Sequence, residues 1–316
     1  MNESIKNSDC IIVTAGSAYL DIDAYACCVA MAELLRIKGE NAIAYSCANY
    51  NYSVCKSLIL DGQIENSLPS GYKSEELKYI IVDVSDPEYI KDFVPLDSVV
   101  EVYDHHVGFE EYWDKRIGDK SHIEFIGAAA TLIFGQWKKA GLLNKMKRST
   151  ALLLIAAILD NTINLTSSNT MDVDVEAFEE LCKIADVDEE WCADYFAQVQ
   201  SNVEADLKNA LFNDIKKIDN NDVLPRMVAQ LCVWDSHSII EKLNQIRQWF
   251  SDGGYSFMIN IIDIKRRCSY FVCDDEYHQK QIAKVFDVCF ESGVAKTSIS
   301  YLRKEIIKKS YYQGGF

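Results

Sequence analysis

Asp104-His105-His106 places a carboxylate and two imidazoles after an apolar run, Ser98-Val99-Val100-Glu101-Val102, that reads as a buried strand. Open α/β sheets gather their ligands at the C-terminal mouths of such strands. Three adjacent side chains cannot all point one way, so at most two of these address one centre. Taken alone, a His-His pair reads equally well as a polar loop after a strand. Other acids recur in the same half of the chain: Asp21 and Asp23 after the first apolar run, Asp83 after a later one, and Asp160 closing a long apolar stretch. Such convergence favours a metal site over a series of separate caps. Carboxylates mixed with imidazole suit Mn²⁺ or Mg²⁺ better than a thiolate-seeking metal. Two cations sharing a carboxylate would serve phosphoryl hydrolysis, generating hydroxide at neutral pH and holding the entering and leaving oxygens.

The elements that must position these groups alternate. Cys10–Gly16 is a short apolar run of the parallel-strand kind, followed by a loop through Asp23, a helical pattern over Ala24–Leu35, and a strand over Asn41–Ser46. Asp21 and Asp23 could reach one cation or straddle two; a helix N-cap accounts for Asp23 but leaves Asp21 unexplained. Tyr79–Asp83 is a further strand, with a turn at Ser85-Asp86-Pro87. The strand pattern at Ile123–Ile126 precedes Gly127-Ala128-Ala129-Ala130-Thr131, a small-residue helix start suited to the approach of an anion. The helix Ala151–Leu159 ends at Asp160-Asn161-Thr162. This order predicts an α/β fold with a doubly wound, mostly parallel sheet in the N-terminal domain.

The second half begins with an amphipathic helix over Asp172–Ala185 and a polar helical stretch from Asp188 to about Val203. Beyond it come a strand at Met227–Val233, a helix at Ser238–Phe250, strands at Tyr255–Ile262 and Cys268–Cys273, a helix at Glu276–Phe286 and a last strand near Thr297–Tyr301. That is a smaller mixed α/β C-terminal domain. The expected division is 1–187, a linker at 188–204, and 205–316. Trp234 and Trp249 read as core residues. His122, His237 and His278 read as surface or helix-flank residues.

Composition bounds the partners. At 316 residues the chain accommodates two domains, and 49% hydrophobic with 25% charged residues is ordinary for a globular protein. No apolar run of about 18 residues exists, so no membrane partner is expected. The first residues lack a basic-then-apolar signal pattern. A net charge of −16 argues against nucleic acid as the main partner, though not against a small anionic phosphate substrate met by a local cation. The eleven cysteines include no C-x-x-C, and small hydrophobes in a reducing cytoplasm explain them better than disulfides or zinc. Oligomeric state is not legible.

The motif order resembles that of the DHH phosphoesterase superfamily: D-x-D after the first strand, Asp after a later strand, Asp-His-His, and then a Gly-small-small-Ala-Thr helix start. Within it the chain is similar to the branch of manganese-dependent (family II) inorganic pyrophosphatases and exopolyphosphatases. Asn213-Asp214-Ile215-Lys216-Lys217 and Leu302-Arg303-Lys304-Glu305 resemble that branch's substrate-gripping C-terminal segments. The phosphodiesterase branch carries a late Gly-Gly-His motif, which is missing here. The resemblance implies two metal ions, Mn²⁺ or Mg²⁺, held by Asp21, Asp23, Asp83 and His105, with Asp83 bridging. It implies that Asp104 orients His105 or supports it, that His106 faces substrate or leaving group, and that Lys216, Arg303 and Lys304 clamp phosphate oxygens. A solvated basic tail is the plain alternative for the last pair, since Lys308 and Lys309 follow.

Two positions depart from the family pattern. Ser17 stands where the pyrophosphatases carry a His ligand, which the exopolyphosphatase-like members also lack. At the fourth motif Asn161 falls under the family's Asp, with Asp160 one residue earlier. The resemblance therefore implies a metal-dependent hydrolase of pyrophosphate or polyphosphate acting by two-metal-activated water attack. The alternative is a catalytically weakened relative that binds phosphate compounds or partners in a regulatory role.

Overall fold

The computed structural model describes residues 10–16, 19–60, 62–213, 215–254 and 256–311, with the side chain of residue 75 left out. Ser17 and Asp214 lie outside the described residues. The chain divides into two compact units, Met1–Cys192 and Ala193–Phe316.

The first unit is built on a five-stranded parallel sheet in the order β3-β1-β5-β6-β7. Its strands are β1 (Ile11–Thr14), β3 (Ala42–Ala44), β5 (Lys78–Val82), β6 (Val99–Asp104) and β7 (Ser121–Ile123). A separate short pair joins β2 (Tyr19–Leu20) to β4 (Asn49–Tyr50). From β1 the chain winds first to β3 on one side and later to β5 on the other. The sheet thus reverses its winding between β1 and β5, the position at which open α/β sheets bind ligands.

The interior strands β1, β5 and β6 are apolar along most of their length because both sheet faces are covered. Ile12, Tyr79, Ile81 and Val102 contribute to one core, which Ile90, Val94 and Trp113 close. Helix α1 (Ile22–Ile37) is buried at every residue from 22 to 34. Its alanines and cysteines let it pack against α3 (Ala129–Ala140) and α4 (Arg148–Asn161). In α4 the run Leu153–Leu159 is fully buried, each Leu or Ile contributing about 1.5–3 kcal/mol. The remaining helices of this unit are α2 (Glu110–Ile117), α5 (Asp172–Ala185) and the start of α6 (Glu189–Ala205), within which the division falls.

The second unit has a mixed sheet in the order β12-β11-β10-β9-β8, parallel only between β9 and β10. It comprises α7 (Leu207–Asn213), β8 (Lys216–Lys217), β9 (Met227–Val233), α8 (His237–Glu241), α9 (Leu243–Asp252), β10 (Phe257–Asp263), β11 (Cys268–Cys273), α10 (Glu276–Phe286), β12 (Val294–Lys296) and α11 (Arg303–Tyr311).

Several expected elements are corrected. The helix at 238–250 is two helices divided at Lys242. The last strand is Val294–Lys296, not Thr297–Tyr301. Thr297 N–H still donates to Ser269 O at 2.9 Å, but the N–H of Ser269 goes to the Thr297 hydroxyl at 2.7 Å in place of its carbonyl, and the ladder ends there. The strand expected at Ile123–Ile126 is Ser121–Ile123. Trp234 and Trp249 are half-buried, whereas Trp113 and Trp137 are the fully enclosed indoles. All eleven cysteines are free. No described helix is long and apolar enough to cross a membrane.

Candidate metal centre

Three chain reversals at the mouths of β1, β5 and β6 bring the acids and imidazoles of the first unit together. After β1, Asp21 caps α1, its Oδ1 accepting the N–H of Ala24 at 3.0 Å. The N-cap is therefore Asp21, and the expectation that capping would account for Asp23 is reversed. Asp23, two residues on in the first turn, is wholly buried and turns across to α3, where Oδ2 accepts Ala129 N–H at 2.9 Å and Oδ1 accepts Ala130 N–H at 2.8 Å. The small-residue helix start at Gly127–Thr131 does receive an anion, and that anion is the protein's own carboxylate.

After β5, Asp83 adopts a left-handed backbone with φ of 56°, uncommon for any residue with a side chain and frequent at functional sites. Its N–H donates to Tyr103 O at 2.8 Å, so strand pairing ends at this residue. The loop beyond is held by Trp113, whose indole N–H donates to Ser85 O at 2.6 Å, while Ser85 Oγ donates to His106 O at 3.1 Å.

After β6, Asp104 is buried and its Oδ1 accepts three donors: His105 N–H at 2.7 Å, His106 N–H at 3.1 Å and His106 Nδ1 at 2.9 Å. Asp104 thus orients His106. His105 is oriented instead by the carbonyl of Ile126, 3.2 Å from its Nδ1. A carbonyl only accepts, so Nδ1 carries the proton, and in the neutral ring Nε2 is left as a lone pair. That Nε2 is buried, makes no hydrogen bond, and stands 3.4 Å from Asp83 Oδ1 and 3.9 Å from Asp23 Oδ2. Asp83 Oδ1 is likewise buried without a hydrogen-bond donor.

Acceptors set against acceptors in a buried site repel unless a cation or proton lies among them. Two ligands about 2.1 Å from one hard cation and at right angles stand roughly 3 Å apart, close to the spacing of His105 Nε2 and Asp83 Oδ1. One ligand atom from each of Asp83, His105 and His106 falls within 4.8 Å of the others. The backbone carbonyl behind His105 is the usual second partner of a metal-bound imidazole. The donor set fits a hard or borderline divalent cation.

Electrostatics agree. Burial, and then Asp83, pushes the Asp23 carboxyl well above the ordinary range; burial, and then Asp21, does the same to Asp83. Burial also works against the Asp104 charge, but the bonds from His106 hold it below the ordinary value. The His106 imidazolium is raised: its desolvation is outweighed by the bond to Asp104 and the nearby Asp83. His106 is 61% exposed at its side chain against 1% for His105, so the two rings have different environments. A cavity of about 170 Å³ opens beside them, lined by Tyr19, Asp21, Asp83, Tyr89 and His106 among others.

The remaining expected residues belong to other elements. Asp160 lies in the last turn of α4, where it and, more strongly, burial push the Cys55 thiol up to about 12. Asn161 ends α4 with its amide donating to Ala157 O at 3.5 Å. The next three residues but one, Ile163, Asn164 and Leu165, are all left-handed, with φ of 50°, 55° and 59°; a β-branched residue in that region is a genuine outlier. Lys216, Arg303 and Lys304 belong to the second unit. Lys216 is exposed in β8; Arg303 opens α11 with its N–H held by Gln230 Oε1 at 2.6 Å, and Lys304 is exposed. Sequence reasoning missed Ile126, whose carbonyl has no side-chain signature, and the tyrosines of the cavity.

No protein-family model matches the chain. A manganese-dependent inorganic pyrophosphatase of Methanothrix thermoacetophila is 28% identical over 177 residues, 54% of this chain and 53% of that protein. The chain thus spans about half the length of that relative. A probable manganese-dependent inorganic pyrophosphatase of Streptococcus mutans is 26% identical over 263 residues, 80% of this chain and 82% of that one. Among solved structures, a Methanococcus jannaschii protein assigned to the family II inorganic pyrophosphatases superposes with a TM-score of 0.66 at 17% identity, covering 96% of this chain and 98% of that one. An exopolyphosphatase-related protein of Bacteroides fragilis gives 0.50 at 12% identity, with 96% and 91% covered.

Proposed function

We propose, on the premise that this chain is a relative of the manganese-dependent inorganic pyrophosphatases of the DHH phosphoesterase superfamily, that it is a metal-dependent phosphoanhydride hydrolase. The observation that carries the reading is His105 Nε2, a buried lone pair pinned by Ile126 and facing the carboxylates of Asp83 and Asp23 without a donor. A pocket walled by Asp21 and Asp83 repels phosphate unless cations cover those charges.

In this reading Asp21, Asp23, Asp83 and His105, with Asp160 or Asn161, would hold two Mn²⁺ or Mg²⁺ ions. The ions supply a lowered water pKa and neutralise phosphate charge. His106, its Nδ1 proton tied to Asp104, presents its other nitrogen to a leaving oxygen and donates a proton there. Asp104 fixes the ring and favours the charged form. Lys216, Arg303 and Lys304 grip phosphate oxygens, the guanidinium in bidentate fashion and the ammonium groups as point charges. A cytoplasmic location belongs to the same reading.

Phosphate release with Mn²⁺ from pyrophosphate, tripolyphosphate and long polyphosphate tests it; release from at least one is expected, and its absence at every metal concentration overturns the reading. Ser17 and Asn161 favour a second reading, a phosphate-binding relative without turnover. That outcome is recognised by Mn²⁺-dependent pyrophosphate binding with no hydrolysis.

A further inference from the structure

The cavity beside Asp83 and His106 is about 170 Å³, well under the roughly 300 Å³ at which pockets enclose drug-sized ligands. A diphosphate fits inside it; a larger molecule must leave part of itself at the rim. Two tyrosines line the cavity, and both are largely open to solvent: Tyr19 at 48% and Tyr89 at 58%. Bare phosphate has no apolar face for a phenol ring to cover; of a tyrosine it uses only the hydroxyl, as a hydrogen-bond donor, whereas an aromatic group on the substrate uses the ring face.

The backbone aims them deliberately. Tyr19 lies in β2, where strand alternation turns Leu20 inward to full burial and Tyr19 outward. Tyr89 closes a short turn begun by Pro87 and capped by Asp86, whose side chain accepts the N–H of Glu88 at 3.0 Å. Both rings are thus presented by fixed local structure, one from the β1 side of the site and one from the β5 side.

We propose that the preferred substrate is a phosphoanhydride carrying a planar aromatic group, as nucleoside 5′-di- and triphosphates do, with phosphates in the cavity and the base against Tyr19 and Tyr89. This rests on the phosphoanhydride reading above and narrows its substrate class. Water oxygen bonds to the terminal phosphorus, and the bond from that phosphorus to the bridging oxygen breaks with its electron pair left on the bridging oxygen. One water proton stays on orthophosphate and the other is released; the second product is the nucleotide shortened by one phosphate.

Titration calorimetry with Mn²⁺ compares two inert probes, methylenediphosphonate and adenosine 5′-(α,β-methylene)diphosphate. Base–aromatic stacking predicts that the nucleoside probe binds about tenfold to hundredfold more tightly. In Tyr19→Ala and Tyr89→Ala the ratio of the two affinities should fall toward one, while Tyr19→Phe and Tyr89→Phe keep it. Equal affinities in the wild type, or a preference that survives both alanine variants, overturn the proposal and leave the phosphoanhydride reading intact. If neither probe binds at any Mn²⁺ concentration, that reading itself fails and this inference with it.

Discussion

Asp23 in α1 accepts the backbone N–H of Ala130 in α3 across 107 positions of sequence, at 2.8 Å. The same carboxylate takes Ala129 N–H and also faces His105 Nε2. One side chain therefore serves two purposes: it satisfies the buried start of a helix, and it adds negative charge to the candidate metal centre. Asp83 has no comparable backbone donors at Oδ1 and sits in a left-handed conformation. The two acids differ in what they give the fold.

That difference predicts opposite effects in metal-free protein. Asp23→Ala leaves two buried N–H groups unsatisfied, each worth about 1–3 kcal/mol, and should lower the melting temperature in EDTA. Asp83→Asn removes a buried charge repelled by Asp21 and should raise it. With Mn²⁺ both variants should show less metal-induced stabilisation than the wild type. Calorimetry in EDTA and in Mn²⁺ separates the two; the same sign for both in EDTA would refute the division of roles.

Asp104 gives a second prediction. Asp104→Leu, which removes the acceptor of His106 Nδ1, should reduce kcat by about 10²–10⁴-fold if His106 is the proton donor. The alkaline limb of the pH–rate profile should also move to lower pH, because Asp104 is what raises the imidazolium. A profile that only scales down, with its limb unmoved, would assign Asp104 to the fold and not to His106.

Strand and helix identities were legible where burial is two-sided or strongly periodic, as in β9, β11, α5 and α10. Legibility failed where a side chain substitutes for backbone, as Thr297 does against Ser269, and in short amphipathic pieces such as α2. In the site, the acids at the strand mouths stood out because several recur after separate apolar runs, where any one of them alone reads as a cap or turn. Their partners were not: Asp104 selects His106 over His105, and Ile126 selects His105, through backbone geometry that leaves no trace in residue identity. The anion-ready start of α3 was readable, but that its anion would come from α1 was not.

In the second unit Asp235 is held low, at about 2, chiefly by Arg266, whose Nη1 donates to its Oδ1 at 2.7 Å. A carboxyl depressed on folding contributes stability above its unfolded value near 4, and that contribution is lost as pH falls through about 2. Arg266 is 42% exposed, so solvent screening keeps the contribution of the pair small. Asp235→Asn should therefore lower urea stability slightly at pH 6, with the difference shrinking as pH falls below 4. An undiminished difference at pH 3 would mean that the amide disturbs packing and that charge is not the cause.

The fourth motif gives the most discriminating prediction. Asn161 donates its amide to Ala157 O, and left-handed residues from Ile163 to Leu165 follow it, a strained arrangement of the kind found where a loop must present a group. If Asn161 is the ligand, its carbonyl binds without charge, and Asn161→Asp should tighten Mn²⁺ at one site at least tenfold, judged against the roughly 10–100-fold effect of merely supporting groups. Asp160→Asn should then leave metal affinity nearly unchanged. If Asp160 is the ligand, the pattern inverts: Asp160→Asn loosens Mn²⁺ and Asn161→Asp does little. Ser17→His provides an independent control, because an added imidazole should tighten the other site in either case. Calorimetric titration of the wild type, the three single variants and the Ser17→His, Asn161→Asp double variant decides between them. Metal affinity unmoved by every substitution would place both Asp160 and Asn161 outside the centre and leave Asp21, Asp23, Asp83 and His105 as its ligands.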